Sequence, residues 1–162
     1  MGIEIERKFL VTGEAWRSMG QSIPLVQGYL AGSDQATVRV RIAGDTGFLT
    51  VKGRVKNLTR QEFEYEIPVA DAEAMMDLCQ PRVVEKTRYK IPIENLIWEV
   101  DEFAGTNQGL VLAEVELTSP EQFVSLPSWI GLEVSDDPRY FNSYLAAHPY
   151  STWPNGSSPH PE

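Results

Sequence analysis

Apolar residues along most of this chain recur at every second position, the pattern of strands with one packed face and one polar face. Eight such runs stand out: Ile3 to Val11, Ile23 to Leu30, Thr37 to Ala43, Gly47 to Gly53, Arg60 to Val69, Val83 to Ile93, Leu96 to Phe103 and Leu110 to Leu117. Short turns separate several of them, namely Ala-Gly-Asp-Thr-Gly at 43 to 47, Glu94-Asn95 and Gly105 to Gly109. Consecutive runs are therefore expected to pair as antiparallel hairpins and build a meander. Helical spacing is the minority signal. It covers Asp71 to Cys79, where Asp71 can cap and Ala72, Met75, Met76 and Cys79 share a face, Pro138 to Ala147 behind the acidic Ser135-Asp136-Asp137, and a short stretch from Thr12 to Met19. From Pro149 onward four prolines fall within fourteen residues, which predicts an unstructured Pro/Ser-rich tail over 149–162 and a single domain over 1–148. With so few helices to cover sheet edges, the fold class expected is mainly β (α+β), an eight-stranded antiparallel closed β-barrel, or tunnel, with a few flanking helices.

The polar faces of these runs carry charge. Strand alternation puts Glu4, Glu6 and Lys8 on one face of the first run, Arg39 and Arg41 on the third, Lys52 on the fourth, and Glu62, Glu64 and Glu66 on the fifth. Lys86, Arg88 and Lys90 follow on the sixth, Glu99 and Asp101 on the seventh, Glu114 and Glu116 on the eighth. A solvated sheet face would account for any one strand. It accounts poorly for like charges repeated at i, i+2, which repel unless something neutralises them. The charges also segregate: residues 36–60 hold six bases and one acid, residues 94–138 ten acids and no Lys or Arg. A closed lumen lined in this way can hold an anion against Lys and Arg and a hard divalent cation against paired carboxylates. A metal polyphosphate supplies both, and Glu4, Glu6, Glu64, Glu114 and Glu116 suit Mg²⁺ or Mn²⁺ rather than a soft metal.

Composition narrows the field. The 162 residues, 42% of them hydrophobic, make about one domain. A net charge of −9 disfavours nucleic acid and anionic membranes as partners, and no run approaches the roughly 18 apolar residues of a membrane span. The single cysteine, Cys79, is expected as a buried helix residue; with the charged opening residues it points to the cytoplasm. Histidine occurs only as His148, expected at a helix end, and His160 in the tail, so zinc and histidine chemistry are set aside. No Gly-rich loop ends in Gly-Lys-Ser/Thr, so any phosphate must be gripped by side chains. Trp16, Trp98, Trp129 and Trp153 lack interleaved bases and read as packing residues.

The opening Glu4-Ile5-Glu6-Arg7-Lys8 has the ExExK form, and an ordered set follows it: Gln27-Gly28-Tyr29-Leu30, Val38-Arg39-Val40-Arg41, Thr50-Val51-Lys52-Gly53, Arg60-Gln61-Glu62-Phe63-Glu64, Lys86-Thr87-Arg88-Tyr89, Glu99-Val100-Asp101, Glu114-Val115-Glu116 and Asp137-Pro138-Arg139-Tyr140. In this the chain resembles the CYTH family, the triphosphate tunnel metalloenzymes, over about residues 2–147, and most of all its short bacterial type. The resemblance implies a cytoplasmic enzyme that hydrolyses inorganic triphosphate with Mg²⁺ or Mn²⁺. Adenylate cyclase, thiamine or nucleoside triphosphatase activity and a non-catalytic polyphosphate-binding module are the alternatives, and monomer and homodimer are both open. It implies that Lys8, Arg39, Arg41, Lys52, Lys86, Arg88 and Arg139 clamp phosphates. Glu4, Glu6, Glu114 and Glu116 would hold a first metal, with Glu62, Glu64 and Asp101 available for a second or for orienting water. Lys86 is the candidate for tuning or moving the proton, since desolvation and cationic neighbours lower a lysine pKa. Tyr29 either packs or reaches the substrate. Arg60, in phase with Glu62, is expected to pair with it, and Glu66 and Lys90 to stand at the rim.

Overall fold

The computed structural model describes residues 2–154. Nine strands and two α-helices follow in the order β1 (Gly2–Val11), β2 (Gln21–Gly32), β3 (Ala36–Ala43), β4 (Thr46–Gly53), β5 (Thr59–Ile67), α1 (Val69–Cys79), β6 (Val83–Ile93), β7 (Leu96–Phe103), β8 (Val111–Glu116), β9 (Ile130–Glu133) and α2 (Asn142–Ala147). Every strand pairing is antiparallel, in the order β5-β4-β3-β2-β6-β7-β8-β1, and a further pairing of β5 with β1 closes the eight strands into a barrel. Closure rests on four residue pairs, from Gly2↔Glu62 to Ile5↔Thr59. Beyond them β9 takes over the same edge of β1, through Phe9↔Glu133 and Val11↔Ile130.

Two turns do what their residues allow. Gly44 and Asp45 close the β3–β4 hairpin with Gly44 at φ +61°, a conformation glycine adopts without penalty. In the β6–β7 turn Glu94 takes φ +57°.

Three apolar clusters surround the lumen, two outside it and one within. Outside β6, β7, β8 and β1, Phe9, Ile91, Trp98, Val100, Ala113 and Val115 pack under Trp16, Leu117, Val124 and Trp129. Outside β2, β3 and β4, helix α1 lays Ala72, Met76 and Cys79 on Val40. The approach is close: a Cβ on Gly28 would stand 2.6 Å from the Cβ of Cys79. The third cluster joins Val84, Phe103, Leu110 and Leu112, which share the inward parity of the charged stripes, with Tyr140, Leu145, Tyr150 and Trp153. It fills one end of the barrel as an apolar plug.

Several expectations need correction. The fifth strand stops at Ile67, because Pro68 cannot continue the ladder and instead precedes α1. The Pro138 to Ala147 helix is split by Phe141, extended at ψ 138°, into a 3-10 turn (Pro138–Tyr140) and α2. Only Ala15–Ser18 of the Thr12 to Met19 stretch is helical, as a 3-10 turn. Strand β9 was not anticipated; four residues containing Gly131 are too few to display alternation. The tail reading fails over 149–154. Tyr150–Thr152 form a 3-10 turn, Tyr150 N–H donates to Asn107 Oδ1 at 2.7 Å, and Trp153 is buried against the Tyr140 ring, so burial of two aromatics outweighs the proline signal. Residues 155–162 of that segment lie outside the described residues. No helix among the described residues is long and apolar enough to cross a membrane. All four tryptophans and Cys79 are buried, and His148 ends α2 exposed and stacked on Tyr144.

Candidate active site

The inward faces of the eight barrel strands meet in one cavity of about 840 Å³. Eight Lys and Arg side chains and seven Glu line it, so the lumen is nearly balanced inside a chain of net charge −9. Of the residues expected from sequence, Glu4, Glu6, Lys8, Tyr29, Arg39, Arg41, Lys52, Glu62, Glu64, Lys86, Arg88, Glu114 and Glu116 all stand in the lining.

Two do not. Asp101 has inward parity but does not line the cavity, being 2% exposed beneath two lumenal cations: it accepts Arg88 Nε and Nη2 at 2.8 and 2.9 Å, and Lys86 Nζ stands 2.7 Å from its Oδ2. Its oxygens are taken by cations of the protein itself. Arg139 is held outside the cavity by Asp137, which takes its guanidinium at 2.6 Å, and lies over the rings of Tyr140 and Trp153.

Sequence reasoning passed over others. Arg60 lines the cavity and bonds Glu4 at 3.3 Å rather than the expected Glu62. Glu99 and Lys90 continue stripes already read, Lys90 at the mouth, while exposed Glu66 stays outside. Gln27, fully buried, accepts Arg41 Nε at 2.9 Å and donates to Tyr29 Oη at 3.2 Å. Parity with Tyr29 and its place in the Gln27-Gly28-Tyr29-Leu30 motif were the available signals, and a neutral side chain hid the role. Phe141 and Asn142 project from the plug into the lining.

Acid and base neutralise each other across the lumen. Lys8 reaches Glu114 at 3.2 Å, Lys52 reaches Glu4 at 3.1 Å and Glu62 at 3.4 Å, and Arg39 reaches Glu64 at 3.4 Å. The cations nevertheless exceed what these pairs satisfy. Among the described residues Arg41 has only neutral Gln27 as a hydrogen-bond acceptor, and burial beside Arg39 and Arg88 pushes it down to about 10. Arg39 Nε is a buried donor with no acceptor among the described residues. Burial, with Arg88 and Arg41 close by, also lowers Lys86 to about 7 against the opposing pull of Asp101. Asp101 itself is held far below the carboxylate range: burial pushes it up, and Arg88 with Lys86 overcomes that.

The carboxylates show the converse crowding. Burial next to Glu114 and Glu4 raises Glu6 to about 8, although its side chain still touches the cavity. In Glu114 burial is outweighed by Lys8 and Arg88, which hold it at about 2. Glu4 is lowered: burial raises it, Lys52 and Arg60 pull it further down. No three acidic, histidine or cysteine side chains among the described residues converge closely enough here to hold an ion, because most of these carboxylates are drawn onto lysines and arginines. The donor set nonetheless fits a hard divalent cation: it is carboxylate oxygen only, and Glu6 is one charge too many for its surroundings without one.

Residues 2–141 match the CYTH domain. The chain belongs to the CYTH domain family. Among curated relatives, this CYTH domain is 47% identical over 154 residues to an inorganic triphosphatase of Acetivibrio thermocellus, covering 94% of this chain and 99% of that one. It is 41% identical over 152 residues to an inorganic triphosphatase of Nitrosomonas europaea, covering 88% and 96%. A crystal structure of an inorganic triphosphatase superposes with a TM-score of 0.66 at 38% identity, over 88% of this chain and 93% of that one.

Proposed function

We propose that this CYTH domain hydrolyses inorganic triphosphate to pyrophosphate and phosphate in its lumen. The observation that carries the reading is the set of under-satisfied cations in the lumen among the described residues: Arg41 without a carboxylate, Arg39 Nε without an acceptor, and Lys86 with no carboxylate but that of Asp101, which it shares with Arg88. An anion rich in oxygens resolves all three. The curated relatives' activity agrees with it.

In this reading Lys8, Arg39, Arg41, Lys52 and Arg88 bind phosphate oxygens, which displace Glu114, Glu64 and Glu4 from Lys8, Arg39 and Lys52. Arg139 and Asp101 act from outside the cavity, Asp101 by fixing Arg88 and Lys86. Glu4, Glu6, Glu114 and Glu116 would hold a divalent cation, Mg²⁺ or Mn²⁺, which when bound neutralises polyphosphate charge and polarises the terminal phosphoryl group. Glu62 and Glu64 face the lumen on β5 and orient water. The oxygen of that water bonds to the terminal phosphorus, the bridging P–O bond breaks, and pyrophosphate carries the electron pair away. Lys86, poised near neutrality, moves the proton. Tyr29 is held toward the lumen by Gln27 and meets the substrate beside Arg41. The proposal includes a cytoplasmic location, supported by the buried free thiol of Cys79.

Phosphate release from tripolyphosphate, ATP and thiamine triphosphate, each with Mg²⁺, Mn²⁺ or EDTA, tests it. Metal-dependent release fastest from tripolyphosphate and lost in Glu6→Gln is the expected result. Release from none of them, with pyrophosphate still bound, would reduce the domain to a binding module.

A further inference from the structure

Lys86 emerges where the charged lumen meets the apolar plug, its Nζ 5.4 Å from the centre of the Phe103 ring. Asp101 holds it from the wall, and a second acceptor comes from the plug: Asn142 Oδ1, at 2.8 Å. Lysine offers only donors, so the amide oxygen of Asn142 has to face Nζ and its NH₂ has to face away. Asn142 lines the cavity, and its Nδ2 has no acceptor among the described residues. The plug holds this residue firmly. Tyr140 and Leu145 on either side are fully buried, Lys8 Nζ donates to the Tyr140 carbonyl at 3.0 Å, and the extended Phe141 turns Asn142 toward the lumen.

Building on the triphosphatase reading, we propose that Asn142 is a two-sided positioning residue, its oxygen fixing Lys86 and its amide N–H groups reading an oxygen of the phosphate nearest the plug. Lys86 then keeps one N–H for the reacting group, since Asp101 and Asn142 occupy the other two. The phosphate nearest the plug is the one that Lys86 serves, so Asn142 sets how deep the polyphosphate runs. Orthophosphate or pyrophosphate that stops short of the plug misses this contact.

The test compares Asn142→Asp with Asn142→Leu in steady-state hydrolysis of tripolyphosphate with Mg²⁺. Asp keeps an acceptor for Lys86 but loses the donors and adds like charge, so KM rises about tenfold while kcat stays within a few-fold of the parent. Leu removes both sides, so kcat falls about tenfold to a hundredfold as well. Asn142→Ser stands in should Leu fail to fold. Wild-type KM in Asn142→Asp, or wild-type kcat in Asn142→Leu or Asn142→Ser at an unchanged melting temperature, overturns the proposal. So does an equal loss of kcat in Asp and Leu with KM unmoved, the mark of a merely structural residue. Equilibrium binding of tripolyphosphate in EDTA reads the amide contact without turnover: about tenfold weaker binding by Asn142→Asp is expected, and undiminished binding counts against it. A wild-type protein that releases no phosphate would instead sink the triphosphatase reading, leaving the binding comparison to judge Asn142.

Discussion

The lumen has two walls built from the same sequence pattern and different in stiffness. On β6, β7, β8 and the second half of β1, Lys8, Lys86, Arg88, Asp101 and Glu114 are all nearly buried, with contacts as short as 2.7 Å. On β3, β4 and β5 the ion pairs span 3.1–3.4 Å, none as short as Lys86–Asp101, and Glu64 is 39% exposed. What differs lies on the far side of each sheet. The first wall is backed by Trp98, Trp129 and Phe9; helix α1 backs β3 and β4, but the outer face of β5 leaves Phe63 and Tyr65 in solvent. A charged stripe becomes a fixed binding surface only where its strand is packed from behind. The stiff wall is therefore the one prepared to align a reacting phosphate, and the loose one the part free to adjust as substrate enters.

Removing one charge from each wall should separate them most sharply. Asp101→Ala leaves buried Lys86 without a carboxylate and Arg88 with only its longer contacts to Glu99 and Glu114, and is expected to cost about 3–5 kcal/mol, while Glu62→Gln costs below about 1 kcal/mol. Urea unfolding of both variants measures it, and equal costs would erase the distinction. A smaller effect is expected from ligand. Mg²⁺ with pyrophosphate at a hundred times its dissociation constant should slow amide exchange about a hundredfold where exchange requires global opening. The added protection should extend to β4 and β5, which in the free protein exchange faster than β6 to β8. A pH-dependent effect belongs to Glu6, on the strand the two walls share. Its folded value, about 8, lies above the ordinary 4.5, so its stabilising contribution is complete below about 4.5 and is lost as the pH rises through 8. Metal-free protein should lose stability across that window by at most about 1.4 kcal/mol per pH unit, and Glu6→Gln should flatten the profile.

Much of this was legible in the chain because period-two alternation is a local property, and it placed thirteen of the expected site residues in the lining. Depth along the barrel axis is not local. Asp101 has the same parity as Glu99, yet one is covered by Lys86 and Arg88 near the plug and the other faces the open cavity. Arg139 was assigned by resemblance to a motif, and its capture by Asp137 two residues earlier became visible only with the turn between them. The plug itself was hidden twice: by the extended Phe141 inside an apparent helix, and by prolines around two aromatic residues that bury themselves. Asn142 escaped because nothing in its neighbourhood marks a neutral amide as a partner for a lysine 56 residues earlier.

The order in which strands meet also governs when this protein can begin to work during its own synthesis. Adjacent hairpins β2-β3-β4-β5 and β6-β7-β8 can zip as they leave the ribosome, but β1 precedes them all and must wait for partners at residues 59–62 and 112–116. The interior is finished later still, when Tyr150 and Trp153 seat themselves in the end of the barrel. A nascent chain stalled before that point would display stripes of acid and base in a barrel whose plug is incomplete. Catalytic competence of the barrel thus waits on residues that follow all of its strands in the chain.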